Sequence, residues 1–265
     1  MEPSNGAFCA GVDIGAVGAK AVILAGGKIV GSAVVPTAVN AEKSGLSALE
    51  VALKMAGIMR SDLKQVVATG YGRRTIAFAD KTITEIGCHA RGAYSLNPKV
   101  RTIIDMGGQD CKAIRIDEEG RVTEFIMNDK CASGTGRFLE VMSRVFEIPV
   151  SEMGPLALQS ERMVPMSSTC TVFAESEVIS LMARGEKPED IINGVHHAIA
   201  QRVAGLLTRV GLEDDVFFSG GVAKNVGMIK ALEEIIEKKV VTSSENPQLM
   251  GALGAALYAA GRIAQ

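Results

Sequence analysis

The sequence carries two copies of one short motif, Asp13-Ile-Gly-Ala-Val-Gly-Ala-Lys20-Ala-Val22 and Asp105-Met-Gly-Gly-Gln-Asp-Cys-Lys112-Ala-Ile114. Both copies read Asp-x-Gly, four further residues, Lys-Ala and then a branched apolar residue. Each copy follows a short apolar run typical of a buried strand and leads into a second strand. An ordinary β-hairpin turn would explain one copy, but a duplicated unit is a stronger signal than a single glycine motif. The chain is therefore predicted to be an α/β protein with two related halves.

The motif has the composition of a phosphate-binding loop. Small residues let the backbone turn tightly and aim N–H groups at phosphate oxygens. In the first copy the expected contacts come from the backbone of Gly15, Ala16, Val17, Gly18 and Ala19 and from the side chain of Lys20. We expect the two loops to hold one polyphosphate, with Asp13 and Asp105 on a Mg²⁺ ion.

Two of the five cysteines lie in a second pair of similar segments. Cys131 lies in Asn128–Glu140 and Cys170 in Ser167–Glu177, and helix-like apolar spacing follows each. We expect both thiols at or just before helix N-termini, where unpaired N–H groups and the helix dipole favour the thiolate. Two such cysteines are half of a four-thiolate metal site, and a two-fold symmetric dimer would supply the other half. The other three cysteines are most simply small buried residues.

The remaining chain adds one further glycine turn and sets limits on function. Strand-like sequence ends in Ser219-Gly220-Gly221, where the backbone could approach a flat ligand such as adenine or ribose. A net charge of −2 argues against a nucleic-acid surface. No apolar stretch is long enough to span a bilayer, so we expect no membrane association. An odd number of dispersed cysteines favours a reducing cytoplasm over a disulfide scaffold.

These motifs together resemble the activator ATPases of 2-hydroxyacyl-CoA dehydratases and the related benzoyl-CoA reductase ATPase subunits. The resemblance extends over nearly the whole chain, and the two cysteine segments are its most specific part. It implies the actin-like fold of sugar kinases and heat-shock chaperones, with two domains around a nucleotide cleft. We expect residues 1–95 to form the first domain and 96–265 the second, which would carry the second loop, the cysteines and the adenosine site. A C-terminal helix over 247–263 is expected to pack back on the first domain.

The resemblance also implies an activity and a set of cofactors. It implies a homodimer with one [4Fe-4S] cluster, held by Cys131 and Cys170 of each chain. An electron from ferredoxin or flavodoxin would pass, with ATP hydrolysis to ADP, to an iron–sulfur dehydratase or reductase. The residues at the family's nucleotide positions are Gly107, Gly108, Gly220, Gly221 and Gln248. We assign catalytic roles to Asp13, Lys20, Asp105 and Gln109.

The first loop departs from the family pattern. That pattern usually has hydroxyl residues after Asp-x-Gly, whereas this chain has Ala16-Val-Gly-Ala19. Side-chain hydrogen bonds to phosphate, worth about 1.5–3 kcal/mol each, are therefore lost there. Nucleotide should still bind through backbone amides and Lys20.

Two other functions fit parts of the sequence. A small-molecule kinase of the same fold would use both loops but would leave Cys131 and Cys170 without a role. A non-enzymatic dimer bridged by zinc would use the cysteines, because four thiolates also suit that ion.

Overall fold

The computed structural model describes residues 7–167 and 170–261. Within these ranges the chain forms ten strands and eight α-helices. The strands are β1 (Phe8–Ile14), β2 (Gly18–Ala25), β3 (Lys28–Pro36), β4 (Leu63–Thr69), β5 (Lys81–Thr82), β6 (Thr102–Met106), β7 (Cys111–Ile116), β8 (Val122–Asn128), β9 (Val216–Ser219) and β10 (Val240–Thr242). The helices are α1 (Ala41–Ala56), α2 (Glu85–Leu96), α3 (Gly136–Val145), α4 (Val150–Ala157), α5 (Thr171–Ala183), α6 (Pro188–Val210), α7 (Val226–Ile236) and α8 (Met250–Ala259).

The strands form two five-stranded sheets with the same topology. The first has the order β3-β2-β1-β4-β5 and the second β10-β9-β6-β7-β8. In each sheet the motif hairpin is antiparallel, β1 with β2 and β6 with β7, and the hairpin's first strand then pairs in parallel with a later strand, β4 or β9. The duplication predicted from the repeated motif is therefore a duplication of whole sheets.

The chain divides into two compact units. Unit 1 comprises residues up to 101, 116–123 and from 243 onward, and unit 2 comprises 102–115 and 124–242. The predicted boundary after residue 95 falls inside the last turn of α2, which continues to Leu96. The division between the units comes after Arg101, immediately before β6 begins.

Each unit has its own apolar core. In unit 1 the core joins the first sheet to α1, through residues such as Val12, Ile23 and Leu49. In unit 2 it joins the second sheet to the helices that follow it, through residues such as Ile104 and Phe218. Full burial of one such side chain contributes about 1.5–3 kcal/mol relative to its exposed state. The motif hairpins are thus anchored in two separate cores.

Helix α8 packs on β1, β4 and α2 of unit 1. The approach is close enough to require glycine on both sides of the contact. A Cβ on Gly11 of β1 would clash with the carbonyl oxygen of Ala252, and a Cβ on Gly254 of α8 would clash with that of Cys88. The expected helix over 247–263 is shorter in the structure, because a 3-10 turn occupies Pro247–Leu249 and α8 spans Met250–Ala259. Residues 262 and 263 lie outside the described ranges.

None of the helices in the described ranges is both long enough and apolar enough to cross a membrane.

Candidate functional site

The first motif places a carboxylate opposite an ammonium group. Asp13 in β1 and Lys20 in β2 are direct partners in the antiparallel register. The Lys20 Nζ donates to Asp13 Oδ2 at 3.1 Å. The Asp13 side chain is 5% exposed and that of Lys20 is 15% exposed. The seven-residue spacing of the motif therefore produces an ion pair at the loop end of the hairpin.

The loop between these residues is held by backbone contacts. The Gly15 N–H donates to the Gly18 carbonyl at 3.1 Å. Thr37, just beyond β3, donates its hydroxyl to the Gly15 carbonyl at 2.8 Å and its N–H to the Val17 carbonyl at 2.9 Å. Ala16 and Val17 are exposed at the tip. Thr37 thus fixes a loop that has no hydroxyl side chain of its own, and the sequence analysis did not identify it.

The second motif builds the same pair in a more buried network. The Lys112 Nζ lies 3.2 Å from Asp105 Oδ2 and 2.8 Å from Asp110 Oδ2. The Ser219 hydroxyl donates to Asp105 Oδ1 at 3.0 Å. The Lys112 side chain is only 3% exposed. The repeated motif puts Lys112 at the position of Lys20, although the sequence motifs assign a role only to Lys20.

The strand beside each hairpin ends in the same way. Thr69 of β4 pairs with Asp13, and Ser219 of β9 pairs with Asp105. Gly70 and Gly220 follow with φ values of 88° and 89°, and each precedes a 3-10 turn. A hydroxyl residue followed by glycine at the end of a strand is the sequence signal that could have revealed this second part of the repeat.

Close packing explains why both positions are glycine. A Cβ at Gly70 would clash with an Asp13 carboxylate oxygen, and a Cβ at Gly220 would clash with the Met106 carbonyl oxygen. Gly221 begins the second 3-10 turn and is half-buried. The predicted Gly-Gly turn is therefore in direct contact with the strand that carries Asp105.

The two predicted glutamine contacts lie in different units. Gln109 is exposed on the loop of the second hairpin in unit 2. Gln248, in the segment 247–263 that we expect to pack back on the first domain, lies in unit 1. Its 3-10 turn packs on β2 and β3, because the chain returns to unit 1 after residue 242.

The two cysteine segments differ from each other in how they meet their helices. Cys170 is the N-cap residue of α5 and is exposed. Cys131 is half-exposed and lies five residues before the start of α3, farther from its helix than Cys170 is. Gly134 explains the difference, since its φ of 84° is not helical and α3 can begin only beyond it. Ser168 and Thr169 of the second segment lie outside the described residues.

Exposure separates these two cysteines from the other three. Cys9, Cys88 and Cys111 are buried. Burial raises the pKa of the Cys88 thiol to about 12, and it also raises the pKa of the Cys9 and Cys111 thiols. Because metal binding requires the thiolate, these three are poor ligands. Cys131 and Cys170 are carried by segments whose helices, α3 and α5, pack on each other.

In the part of the chain that the structure describes, no three His, Cys, Asp or Glu side chains gather closely enough to hold a metal ion. Two accessible thiols supply half of the thiolates that a [4Fe-4S] cluster takes from cysteine. The donor set fits a cluster shared with a second chain. The carboxylates of Asp13 and Asp105 are hard oxygen donors of the kind that Mg²⁺ takes alongside phosphate.

Comparison with known proteins agrees with this architecture. The sequence profile of the BadF/BadG/BcrA/BcrD ATPase family matches residues 10–259. The activator of lactoyl-CoA dehydratase from Anaerotignum propionicum is 50% identical over 252 residues, which are 95% of this chain and 97% of that relative. The solved structure of the activator of the 2-hydroxyisocaproyl-CoA dehydratase from Clostridium difficile with bound ADPNP is 46% identical, with a TM-score of 0.92 over 97% of this chain and 95% of that one.

A more distant structure supports the fold alone. The ROK family glucokinase from Streptomyces griseus matches with a TM-score of 0.59 and 13% identity, over 95% of this chain and 99% of that one. The expected duplicated actin-like ATPase fold is thereby confirmed. The family profile and the 50% identical relative both cover almost the whole chain, and the chain belongs to the BadF/BadG/BcrA/BcrD ATPase family.

Proposed function

We propose that this protein is a homodimeric activator that couples ATP hydrolysis to electron transfer. It takes one electron from reduced ferredoxin or flavodoxin and delivers it to an iron–sulfur 2-hydroxyacyl-CoA dehydratase or a related reductase. The donor is oxidised by one electron and the acceptor is reduced by one, while ATP and water become ADP and phosphate.

The nucleotide part of the proposal is supported by the two hairpin loops. Loop residues 15–20 and 107–110 offer backbone N–H groups of the kind that bind phosphate, and the first range adds the side chain of Lys20. Asp13 and Asp105 would hold Mg²⁺, and Gln109 is exposed on its loop, where it could orient the attacking water. A relative with 46% identity was solved with bound ADPNP.

The electron-transfer part is supported by the two accessible cysteines. Cys131 and Cys170 of each chain would hold a [4Fe-4S] cluster, which supplies low-potential one-electron chemistry when bound. Cys170 would present its thiolate at the N-terminus of α5, where the helix dipole favours negative charge. Cys131, which is half-exposed, would present its thiolate from the loop that precedes α3.

One observation carries the proposal. Of the five cysteines, Cys131 and Cys170, in the two segments that resemble the activator ATPases, are accessible. The other three are buried. A fold that needed cysteine only as a small apolar residue would have no reason to expose two of them in segments whose helices pack together.

Metal and sulfide analysis of anaerobically purified protein tests it. The parent should contain about four iron and four sulfide per dimer. Cys131→Ala or Cys170→Ala should remove this content and the visible absorption. Cys9→Ala, a buried and chemically matched control, should retain both.

Other results would replace the proposal. Stoichiometric zinc without sulfide would indicate the zinc-bridged dimer. Phosphoryl transfer from ATP to an added sugar or carboxylate, rather than to water, would indicate a kinase. A normal iron content in Cys131→Ala would rule out the assigned ligands.

A further inference from the structure

Helix α6 has an exposed face to which the proposed function gives no role. Most of α6 is buried in the core of unit 2, but five residues of its C-terminal half are exposed at the spacing of one helical face. We call this the arginine face, and it consists of Gln201, Arg202, Gly205, Thr208 and Arg209. It carries two positive charges and no negative one, and no large apolar side chain of α6 is exposed. The face is therefore polar and has a single sign of charge.

The two arginines of this face have no acidic partner among the described residues. This distinguishes them from cations such as Arg137, which pairs with Glu140. Acidic residues follow α6 at 213–215, but the first two of them pair with cations outside α6. Seven residues of helix separate Arg202 from Arg209, which is about 10 Å along the axis. The face thus presents two positive charges that the described chain does not neutralise.

The arginine face begins beside the loop that carries Cys131. A Cβ on Gly134 would lie 3.3 Å from Cγ of Arg202 and 3.8 Å from its Cβ, so the stem of Arg202 packs on the backbone of this loop. The loop is held by Asn128, whose Nδ2 donates to the carbonyl oxygens of Cys131 and Ser133 at 3.1 and 2.8 Å. Both the loop and the face belong to unit 2. A molecule bound on the arginine face would therefore lie next to the loop of Cys131.

The glycine in the middle of this face is not required by packing within the described chain. Gly205 lies inside α6, where glycine is less favourable than alanine because its backbone loses more freedom on folding. In the same helix Gly194 is required, since a Cβ there would clash with the carbonyl oxygen of Val164. A Cβ on Gly205 would meet nothing within 4 Å in the described part of the chain. A glycine that costs helix stability without a packing reason points to close approach by another molecule.

We propose that the arginine face is the docking surface for an acidic one-electron carrier protein. Such a carrier is the electron donor of the proposed function, on which this inference rests. Arg202 and Arg209 face carboxylates of the carrier, and Gly205 lets its surface approach the helix backbone. The carrier is thereby held beside the loop of Cys131.

The composition of the face favours this occupant over two others. A second copy of the chain in two-fold contact needs a self-complementary patch, whereas a face with one sign of charge repels its own copy. A long-lived complex with the electron acceptor needs buried apolar anchors, which the face lacks. Contacts of electron carriers are small and transient, and complementary surface charge raises their association rate.

Anaerobic binding of a ferredoxin with an acidic surface to the complete protein, followed by biolayer interferometry, tests the proposal. Complementary charge raises association rates roughly 10- to 1,000-fold, and salt screens this effect. Arg202→Glu combined with Arg209→Glu should therefore slow association by roughly tenfold or more at about 0.01 M ionic strength. At about 1 M, where the Debye length is only about 3 Å, the double variant and the parent should associate at similar rates.

Lys28→Glu combined with Lys54→Glu is the matched control. It changes the net charge by the same amount, at two exposed lysines of unit 1. Because these lysines do not belong to the arginine face, this variant should slow association far less than the arginine variant does.

Reduction kinetics provide a second measurement, which separates docking from the redox centre. At low ionic strength, reduced ferredoxin should bleach the visible absorption of the double arginine variant more slowly than that of the parent. The methyl viologen radical is a small reductant that needs no docking surface. It should reduce both proteins at similar rates.

Gly205→Ala tests the close approach at the middle of the face. Alanine should raise the urea midpoint of unfolding, because it is the better helix former. Ferredoxin should nevertheless dissociate roughly fivefold faster or more, the lower end of the effect of inserting a methyl group into a packed contact. A purely structural role of this glycine would not give faster dissociation in a more stable protein, so unchanged dissociation would overturn the close approach at Gly205.

The outcomes separate this inference from the function on which it rests. If the parent contains its cluster and accepts electrons from ferredoxin, but the double arginine variant associates as fast as the parent, the inference is overturned and the proposed function stands. The inference is also overturned if that variant loses only its dimer, or only its binding to the dehydratase. If the parent holds no cluster, the proposed function fails and this inference fails with it.

Discussion

The two motif hairpins have the same sequence pattern and the same ion pair, but their surroundings differ. In unit 1, Lys20 contacts one carboxylate and remains partly exposed. In unit 2, Lys112 is buried and lies near two carboxylates, one of which also accepts from Ser219. The repeated motif therefore produces the Asp–Lys ion pair in both units. The neighbouring strands and loops determine how buried each pair is and how many further contacts it makes. We expect the second hairpin to be the more sensitive of the two.

The largest difference should be in stability. Lys112→Met leaves two carboxylates beside a buried apolar side chain, and breaking a buried pair in this way typically costs about 3–5 kcal/mol. Lys20→Met leaves one buried carboxylate without its lysine, and the Lys20 position is itself partly exposed, so the cost should be smaller, about 1–3 kcal/mol. Urea unfolding of both variants measures the difference. Equal losses would show that the extra contacts in unit 2 add nothing.

The next effect concerns catalysis. Asp105→Asn removes a charge that we assign to Mg²⁺ and to positioning water, so phosphate release should fall roughly 10²–10³-fold, as for loss of one electrostatic contact to a transition state. Nucleotide binding should persist, because the glycine amides are unchanged. Asp13→Asn tests whether the first hairpin is equally important.

Asp117→Asn provides the control for the catalytic test. Asp117 pairs with Arg121 in the exposed β7–β8 turn and has no role in the proposed site. Its variant should hydrolyse ATP at the parent rate. Unchanged hydrolysis in Asp105→Asn would contradict the assignment of that carboxylate.

The smallest effect should come from restoring hydroxyls to the first loop. Ala16→Ser with Val17→Thr would add two donors at an exposed tip already fixed by Thr37. One hydrogen bond to a charged phosphate oxygen is worth about 1.5–3 kcal/mol, so gaining one should raise ATP affinity by roughly 10- to 150-fold. Val39→Thr, at another exposed valine, should have no effect. An unchanged affinity in the double variant would mean that backbone contacts suffice.

The sequence predicted the parts of the molecule that depend on local spacing. A motif of fixed length between two strands places its aspartate opposite its lysine, so both hairpins followed from the repeat. Ser219 reaches Asp105 from 114 residues away, so the spacing within the motif could not reveal it. The same is true of Thr37 beneath the first loop.

The cysteine segments show a second limit. Apolar spacing predicted the helices after Cys131 and Cys170, but spacing alone could not show where the first of them begins. That point depends on the backbone of Gly134 and on the carbonyls of Gly107 and Gly108, to which the first two N–H groups of α3 donate.

The packing of α8 on β1 and α2 also determines when unit 1 can finish folding during synthesis on the ribosome. Domains usually fold in the order in which they are made, with the N-terminal one first. Here the first unit lacks one of its packing partners until Met250–Ala259 have been synthesised. At about 5–20 residues per second, the chain between residues 101 and 250 takes roughly 7–30 s to make. During that time unit 2 can fold, while the apolar surface of β1 and α2 around Cys9 and Cys88 is not yet covered by α8. The strand that carries Asp13 is made first and reaches its native surroundings last.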